Sequence, residues 1–433
     1  MVRRMQSSRP EFGTTLSEIS DAQGALEQSV IDAAEAIIRQ VRHSGDVALV
    51  ELTQRFDRRD VTGVDELRLG QADLAAAVTR LSESEYDNLK LAAERIRWFH
   101  ENQKQDSWQV SDDLGNTLGQ RVLPLDSVGV YVPGGKASYP SSVLMNVIPA
   151  KVAGVPRVVM VSPSPDGEMS DWVLAAAHLA GVDEVITIGG AQAVAALAYG
   201  TESIKPVDKI VGPGNAYVAA AKRAVFGQVG IDMIAGPSEV LIITDGSVDP
   251  DWIAMDMFAQ CEHDEMAQAL VLCHESKFLD RLAESIGRLL PTMERADIIA
   301  AALSKRSALI ETASLVESAE ISNRLAPEHL ELAVSDPESL LPRIRHAGAI
   351  FMGSYATESL GDYCAGPNHV LPTSGNARFS SPLGVYDFEK RSSIIQVSAR
   401  GVDVLGRCTS VLARAEGLTA HARSAEFRLA DKA

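Results

Sequence analysis

Cysteine is scarce and unpatterned in this chain. Cys261, Cys273, Cys364 and Cys408 form no CxxC pair and no regular spacing, which argues against a disulfide-stapled secreted scaffold and for a reducing, cytoplasmic setting. No apolar run approaches the roughly 18 residues that a membrane-spanning helix needs. The opening stretch MVRRMQSSRPEFGTT carries Arg3 and Arg4 with no apolar segment behind them, so it does not read as a secretory signal. Basic charge is also in deficit: 40 Lys and Arg face 58 Asp and Glu, a formal net charge of −18. Without a basic face to neutralise phosphates, nucleic acid and anionic membrane are poor partners, and the acidity is read as a solubility feature. What remains is ordinary. The 433 residues are 46% hydrophobic and 23% charged, the composition of a soluble globular protein with two or more domains.

The N-terminal third carries apolar residues at spacings of three and four. SVIDAAEAIIRQVRHSG (29–45) predicts a helix that Gly45 stops, and SESEYDNLKLAAERIRWFHENQ (82–103) another that opens with a serine and acids suited to a helix start. NTLGQRVLPLDSVGVYVPGG (116–135) switches to short strand-like runs. From about residue 140, apolar β-branched runs such as RVVMV, EVITI and KIV alternate with helical segments. A second alternating block holds EVLIITDG, DPDWIAMDMFAQCEH, QALVLCH, SKFLDRLAESIGRLL and AGAIFMG. This pattern means βαβ units, hence an α/β fold with two Rossmann-like parallel-sheet domains in tandem. Residues 353–384, rich in Gly, Ser, Pro and Asn, predict a long loop whose His and aromatic content argues for function. The chain closes with a small helical element over 409–429.

Five metal-binding or proton-moving side chains crowd the stretch FAQCEHDEMA: Gln260, Cys261, Glu262, His263 and Asp264. Asp249-Pro250 suits a helix start. Gln260 and His263, three apart, then share a face, whereas Cys261 and His263 point to nearly opposite sides. A lone helical histidine is more often structural, and glutamine is an uncommon zinc ligand. VGPGNAYVAAAK (211–222) places a Gly-Pro-Gly turn between strand and helix, where backbone N–H groups suit an anion, but Tyr217 occupies the place of the third glycine of the dinucleotide fingerprint. TIGGAQAVAALAYG is a similar junction, and a tight turn explains both equally well. Glu328 and His329 follow Pro327 and could divide water activation from proton transfer, or simply open a solvated helix. Glu358 and Asp362 sit four apart in the long loop with His369 beyond, among Gly361 and Gly366. Glu416 and His421 flank a helix break at Gly417. None of these decides a function alone.

In order, the blocks GVYVPGG, YPSSVLMNVIPAKVAGV, GGAQAVAALAYGT, GPGNAYVAAAKR, AGPSEVLIITD, AQCEHD, APEHLEL, GDYCAGPNHVLPTSGNARFSSPLGVYDFEKR and AEGLTAH resemble the histidinol dehydrogenase family. The resemblance runs from about residue 25 to the C-terminus. It implies a cytoplasmic, zinc- and NAD-dependent homodimer with shared active sites and one Zn²⁺ per subunit. That family oxidises L-histidinol to L-histidine through L-histidinaldehyde, with two NAD⁺, as the last step of histidine biosynthesis. The residues that match are Gln260, His263, Asp362 and His421 as zinc ligands and Glu328 and His329 as the catalytic pair. Ser238, His369 and Glu416 match substrate contacts, as do His329 and the four ligands, while Tyr131, Gln192 and Asn215 match dinucleotide contacts. In this reading Cys261 and Glu262 face elsewhere. Cys261 stands where many relatives have alanine, and the first 25 or so residues match no motif.

The expected division is an N-terminal extension over 1–26 and a discontinuous Rossmann-like domain over 27–129 and 239–382, holding the metal and catalytic residues. A second Rossmann-like domain over 130–238 contacts NAD, and a C-terminal dimerisation tail covers 383–433. Both extensions are expected to pack on the partner subunit. Three rivals stand beside this reading: a related zinc and NAD dehydrogenase of a small polyol such as sulfopropanediol, a zinc hydrolase with Glu328 as base, and a non-catalytic binding protein.

Overall fold

The computed structural model describes residues 2–20, 27–134, 139–234 and 236–429. Its strands are β1 (Arg3–Gln6), β2 (Arg68–Leu69), β3 (Trp108–Ser111), β4 (Thr117–Pro124), β5 (Ser127–Tyr131), β6 (Arg157–Val161), β7 (Glu184–Ile186), β8 (Lys209–Val211) and β9 (Gly230–Ile231). They continue with β10 (Glu239–Thr244), β11 (Gln268–Cys273), β12 (Ala308–Glu311), β13 (His329–Ala333), β14 (Ala349–Met352) and β15 (Glu389–Gln396). Two six-stranded sheets result, ordered β2-β7-β6-β5-β8-β9 and β1-β12-β11-β10-β13-β14. Every pairing in them is parallel except that of β2 with β7. In each, after an edge strand laid down earlier in the chain (β2 or β1), the parallel run starts mid-sheet, at β5 or β10, adds two strands outward and then crosses back beside its start. That order opens a crevice between β5 and β8 in the first sheet and between β10 and β13 in the second. All residues of β10, β11 and β13 are buried, as parallel strands covered on both faces must be.

The expected α/β class and tandem sheets are present, but the division of the chain differs. Residues 27–129 do not join the sheet of 239–382. The helices Gln28–Asp57, Gln71–Arg80 and Glu83–Glu101 pack on the helices of the first sheet. Ala34, Ile38 and Leu49 share a core with Val159, Ile186 and Ala193, and Leu74, Leu89 and Ile96 share one with Val128, Val143 and Met160. An apolar stripe requires a covered face, and the nearest such face in the chain is that of the first sheet. The N-terminal segment is not an extension either. β1 pairs in parallel with β12, and Met5, Phe12, Leu16 and Ile19 bury against Leu241, Leu270 and Leu330. Residues 1 and 21–26 of that segment lie outside the described residues.

Gly45 stops the first helical run as expected, its backbone being non-helical, and a second run follows directly across the kink. The second run reaches Asp57, and Gly45 between the two sits at φ +48°, where a side chain would run into the Glu202 carboxylate. The helix at Glu83 opens as expected, with Ser82 and Glu85 capping each other. The long loop is partly structured, containing the helix Glu358–Tyr363. It then returns the chain to the first sheet, where Leu383, Val385 and Phe388 are buried in the core. The tail is not purely helical. β15 pairs antiparallel with β4 along its whole length, and β3 completes a three-stranded sheet. The helices Ala399–Ala415 and Thr419–Glu426 follow, packed on each other and broken at Gly417 (φ +73°). No described helix is long and apolar enough to cross a membrane.

Candidate active site

A cavity of about 450 Å³ lies where the carboxyl-end loops of the first sheet meet the starts of β10 and β13. Pro133, Gly212, Pro213, Gly214 and Asn215 line one side, and Ser238, Gln260, His263, Glu328, His329, Asp362 and His369 the other. The catalytic pair expected from APEHLEL is placed by strand pairing. His329 is the first residue of β13 and is registered opposite Val240 of β10. The Glu239 N–H donates to Glu328 Oε2 (2.9 Å), and His329 Nδ1 lies 3.1 Å from the Glu239 carbonyl. A carbonyl can only accept, so Nδ1 carries the proton and Nε2 is the basic nitrogen. That Nε2 is buried without a hydrogen-bond partner, 3.7 Å from Asp362 Oδ1. A solvated helix start, the alternative for this pair, is excluded because both side chains are buried.

The electrostatics are those of too many acids in too little water. Burial raises Glu328 to about 7 and Glu358 to about 8, against the pull of the His329 charge. Burial alone would lower His329, but without a cation to offset them Glu358, Glu328 and Asp362 outweigh it and push the imidazole up to about 10, so Nε2 becomes a free base near neutrality only once their charge is offset. Burial also raises Asp362, yet His329, His369 and His263 together keep it below the usual range. His369, lowered by burial, directs Nδ1–H to the Asp362 carbonyl at 2.9 Å. A site so arranged favours a cation.

The helix Pro250–Cys261 starts as expected, with the Asp249 side chain accepting the Asp251 N–H. It ends at Cys261, so Gln260 lies in the last turn and His263 just beyond it. Ligand atoms of His263, Glu358 and Asp362 lie within 4.8 Å of one another. The orientation of the Gln260 amide follows from its neighbours: its nitrogen donates to both oxygens of Glu358, at 2.8 and 2.7 Å, leaving the carbonyl oxygen for a cation. Cys261 turns the other way into the core, beside Ser307, and burial pushes its thiol to about 12.

Several residues of this centre were not singled out from sequence. Glu331 lies two residues beyond His329 on β13, hence on the same face, and accepts the Glu358 N–H (2.9 Å). Asp256, on the helix that carries Gln260, is held beside it and accepts a hydrogen bond from Thr357 (2.8 Å). Burial raises both acids, and the hydrogen bond between their side chains requires a proton on one. The period of two in HLELA was the available signal for Glu331. Glu358 had been singled out by its spacing of four from Asp362, and the short helix turns that spacing into a shared face.

Not every expected site residue reaches the cavity. Asn215 does, but its Oδ1 caps the helix Ala216–Val225 by accepting the N–H groups of Tyr217 (3.0 Å) and Val218 (3.2 Å), leaving only the amide nitrogen to donate. Tyr131 and Gln192 are buried and do not line it; the Tyr131 hydroxyl accepts the Gly190 N–H at 3.0 Å. Glu416 and His421 are exposed on the tail and do not line it either.

The model of the family described as histidinol dehydrogenase matches residues 21–429. A histidinol dehydrogenase of Pseudomonas aeruginosa is 62% identical over 431 residues, covering 100% of this chain and 98% of the relative. The chain belongs to the histidinol dehydrogenase family. A second member, from Chromobacterium violaceum, is 60% identical and covers 99% of both chains. The crystal structure of histidinol dehydrogenase from Elizabethkingia anophelis superposes with a TM-score of 0.93 at 32% identity, over 99% of this chain and 98% of that one. The family match includes the tail, which the cavity does not use within one chain.

Proposed function

We propose that this chain oxidises L-histidinol to L-histidine through L-histidinaldehyde, drawing on zinc and NAD⁺, as the closing step of histidine biosynthesis in the cytoplasm. The observation that carries the chemistry is the convergence of an unpartnered His329 Nε2, a buried Glu328 and the Gln260, His263 and Asp362 donors on one cavity between two Rossmann-like sheets. The donor set fits zinc, being nitrogen and oxygen atoms with no thiolate beneath a surplus of negative charge, and the His263 and Asp362 atoms lie close together beside Glu358. Gln260, His263 and Asp362 would hold it, with the partner's His421 as the fourth ligand. Bound there, zinc supplies an anchor for the imidazole and amino nitrogens of the substrate and offsets the carboxylate charge around His329.

The chain's own residues then divide the work. His329 Nε2 takes the hydroxyl proton as a hydride leaves the alcohol carbon for NAD⁺. Glu328, beside it, takes a proton from water as that water adds to the aldehyde carbon, and His329 returns its proton to the aldehyde oxygen, giving the hydrate. His329 deprotonates the resulting hydrate, and a second hydride passes to a second NAD⁺. One alcohol and one water thus become a carboxylate, with two reduced cofactors and three protons released. The crevice between β5 and β8, edged by Gly212 and Asn215, is the cofactor side of the cavity. Tyr131, the last residue of β5, and Gln192, in the first turn of the helix after β7, are buried on this side and support it in this reading.

The partner subunit is part of the proposal. Val404, Val411, Leu412, Leu418 and Phe427 leave apolar surface exposed on the two tail helices. A second copy of the chain covering them would bring Glu416 and His421 to the other subunit's cavity. The test is the appearance of reduced nicotinamide when purified protein meets histidinol, against a panel of primary alcohols that includes sulfopropanediol. Chelation should abolish the signal, and added zinc should restore it. Turnover of the polyol in preference to histidinol, or full activity without metal, overturns the reading.

A further inference from the structure

Lys222 and Asp232 are buried, charged and unused by the chemistry above. They form an ion pair whose side chains are 5% and 1% exposed. The two partners do more than neutralise each other. Asp232 Oδ2 accepts the N–H of Gly212 (2.8 Å), and Lys222 Nζ donates to the carbonyl oxygen of the same glycine (3.0 Å). One residue therefore has both of its peptide groups held by the two members of one ion pair. The three come from neighbouring elements. Lys222 lies on the helix Ala216–Val225, and Asp232 follows β9 with its own N–H given to Ile210 of β8 (3.2 Å). Gly212 is the first residue past β8, at the crevice between β5 and β8. Its φ of +109° and the closeness of the Tyr131 carbonyl oxygen, into which a Cβ would run, leave room for glycine alone.

We propose that Lys222 and Asp232 are positioning residues for the nicotinamide cofactor, a ring that sets the Gly212-Pro213-Gly214 turn in the shape the dinucleotide meets. This rests on the proposed NAD⁺ site. An isolated Gly-Pro-Gly turn would offer its N–H groups to a phosphate. Here the Gly212 N–H is already given to Asp232, so this glycine contributes contour, and donors toward an anion come from beyond Pro213, among them the Asn215 amide nitrogen. Charge adds a second consequence. Both residues line the cavity, and a pyrophosphate is an anion whereas histidinol carries an amine. Removing the Lys222 ammonium leaves a buried, unpaired Asp232 carboxylate that repels the cofactor and not the substrate.

The test is cofactor binding to zinc-loaded Lys222→Met, measured calorimetrically beside the KM for histidinol and the zinc content. NAD⁺ affinity should fall on the order of tenfold or more, the effect of losing a charge-assisted hydrogen bond at the site, with histidinol KM and zinc unchanged. Lys222→Gln, which retains a donor for the Gly212 carbonyl, should recover part of the affinity. If Lys222→Met does not fold, Lys222→Gln against the native protein is judged by the same split. A folded variant that binds NAD⁺ as tightly as the native protein, or loses cofactor and substrate affinity together, overturns the proposal. Absence of NAD⁺ binding by the native protein would instead overturn the assignment of the cofactor.

Discussion

Both carboxylate oxygens of Glu358 face the Gln260 amide at 2.8 and 2.7 Å, which assigns the amide nitrogen to that side. A glutamine binds a cation through its oxygen, and a carboxylate on the nitrogen side dictates which way the amide faces. Glu358 is itself buried and is anchored through its backbone N–H to Glu331. Glu358→Gln should therefore loosen the metal without removing a ligand, by roughly 10- to 100-fold in affinity, the usual effect of changing a residue behind a ligand. Competition with a calibrated chelator measures it. Native affinity in the variant would leave the Gln260 orientation to other neighbours.

The two oxidations separate at Glu328. Only the aldehyde needs an added water, so Glu328→Gln should slow turnover of supplied histidinaldehyde more than the first hydride transfer from histidinol. A single-turnover comparison of the two substrates decides it. Equal losses would mean that Glu328 serves the site as a whole. The variant keeps an acceptor for the Glu239 N–H, which limits the structural cost.

No thiol should take part, although an aldehyde intermediate invites covalent capture. Cys261 is buried, its thiol is pushed up to about 12, and it faces Ser307 in the core, so it offers no thiolate near neutral pH. Cys364 follows the short helix that carries Asp362 and is partly exposed. Cys364→Ala should retain most activity. A fall of several orders of magnitude with zinc still bound would restore a thiohemiacetal route.

The shared site makes a sharper demand. His263→Asn and His421→Asn are each expected to be inactive as homodimers. In their heterodimer, a trans arrangement puts both lesions in one site and spares the other, so about half of the native activity should return for independent sites. A cis arrangement damages both sites and returns nothing. Subunit exchange with tagged chains, verified by isolating the heterodimer, gives the answer.

What the sequence by itself determined is local or periodic. Ser82 with Glu85, and Asp249 before Pro250, announce helix starts because a cap acts within one turn of its own residues. The alternation of β-branched runs with amphipathic segments specifies parallel sheets, since only strands covered on both faces are apolar throughout. The residues expected as the catalytic pair and as three of the ligands could be proposed by resemblance because each lies in a contiguous block, and the cavity brings Gln260, His263, Glu328, His329 and Asp362 together.

Only the tertiary structure decided where those pieces go. An apolar stripe on Gln28–Asp57 states that a face is buried but not against which sheet, and it chose the first. β1 is four residues long and becomes a strand only because β12 offers an edge. Glu358 against Gln260, Glu239 against Glu328 and His329, and the ring of Lys222 and Asp232 around Gly212 join separate elements. A hydrogen bond between such partners leaves no periodicity along the chain, because its geometry is set by how strands register and helices pack. The cavity itself is of that kind: it exists where one sheet's carboxyl-end loops meet the other sheet's first residues, and neither sheet contains it alone.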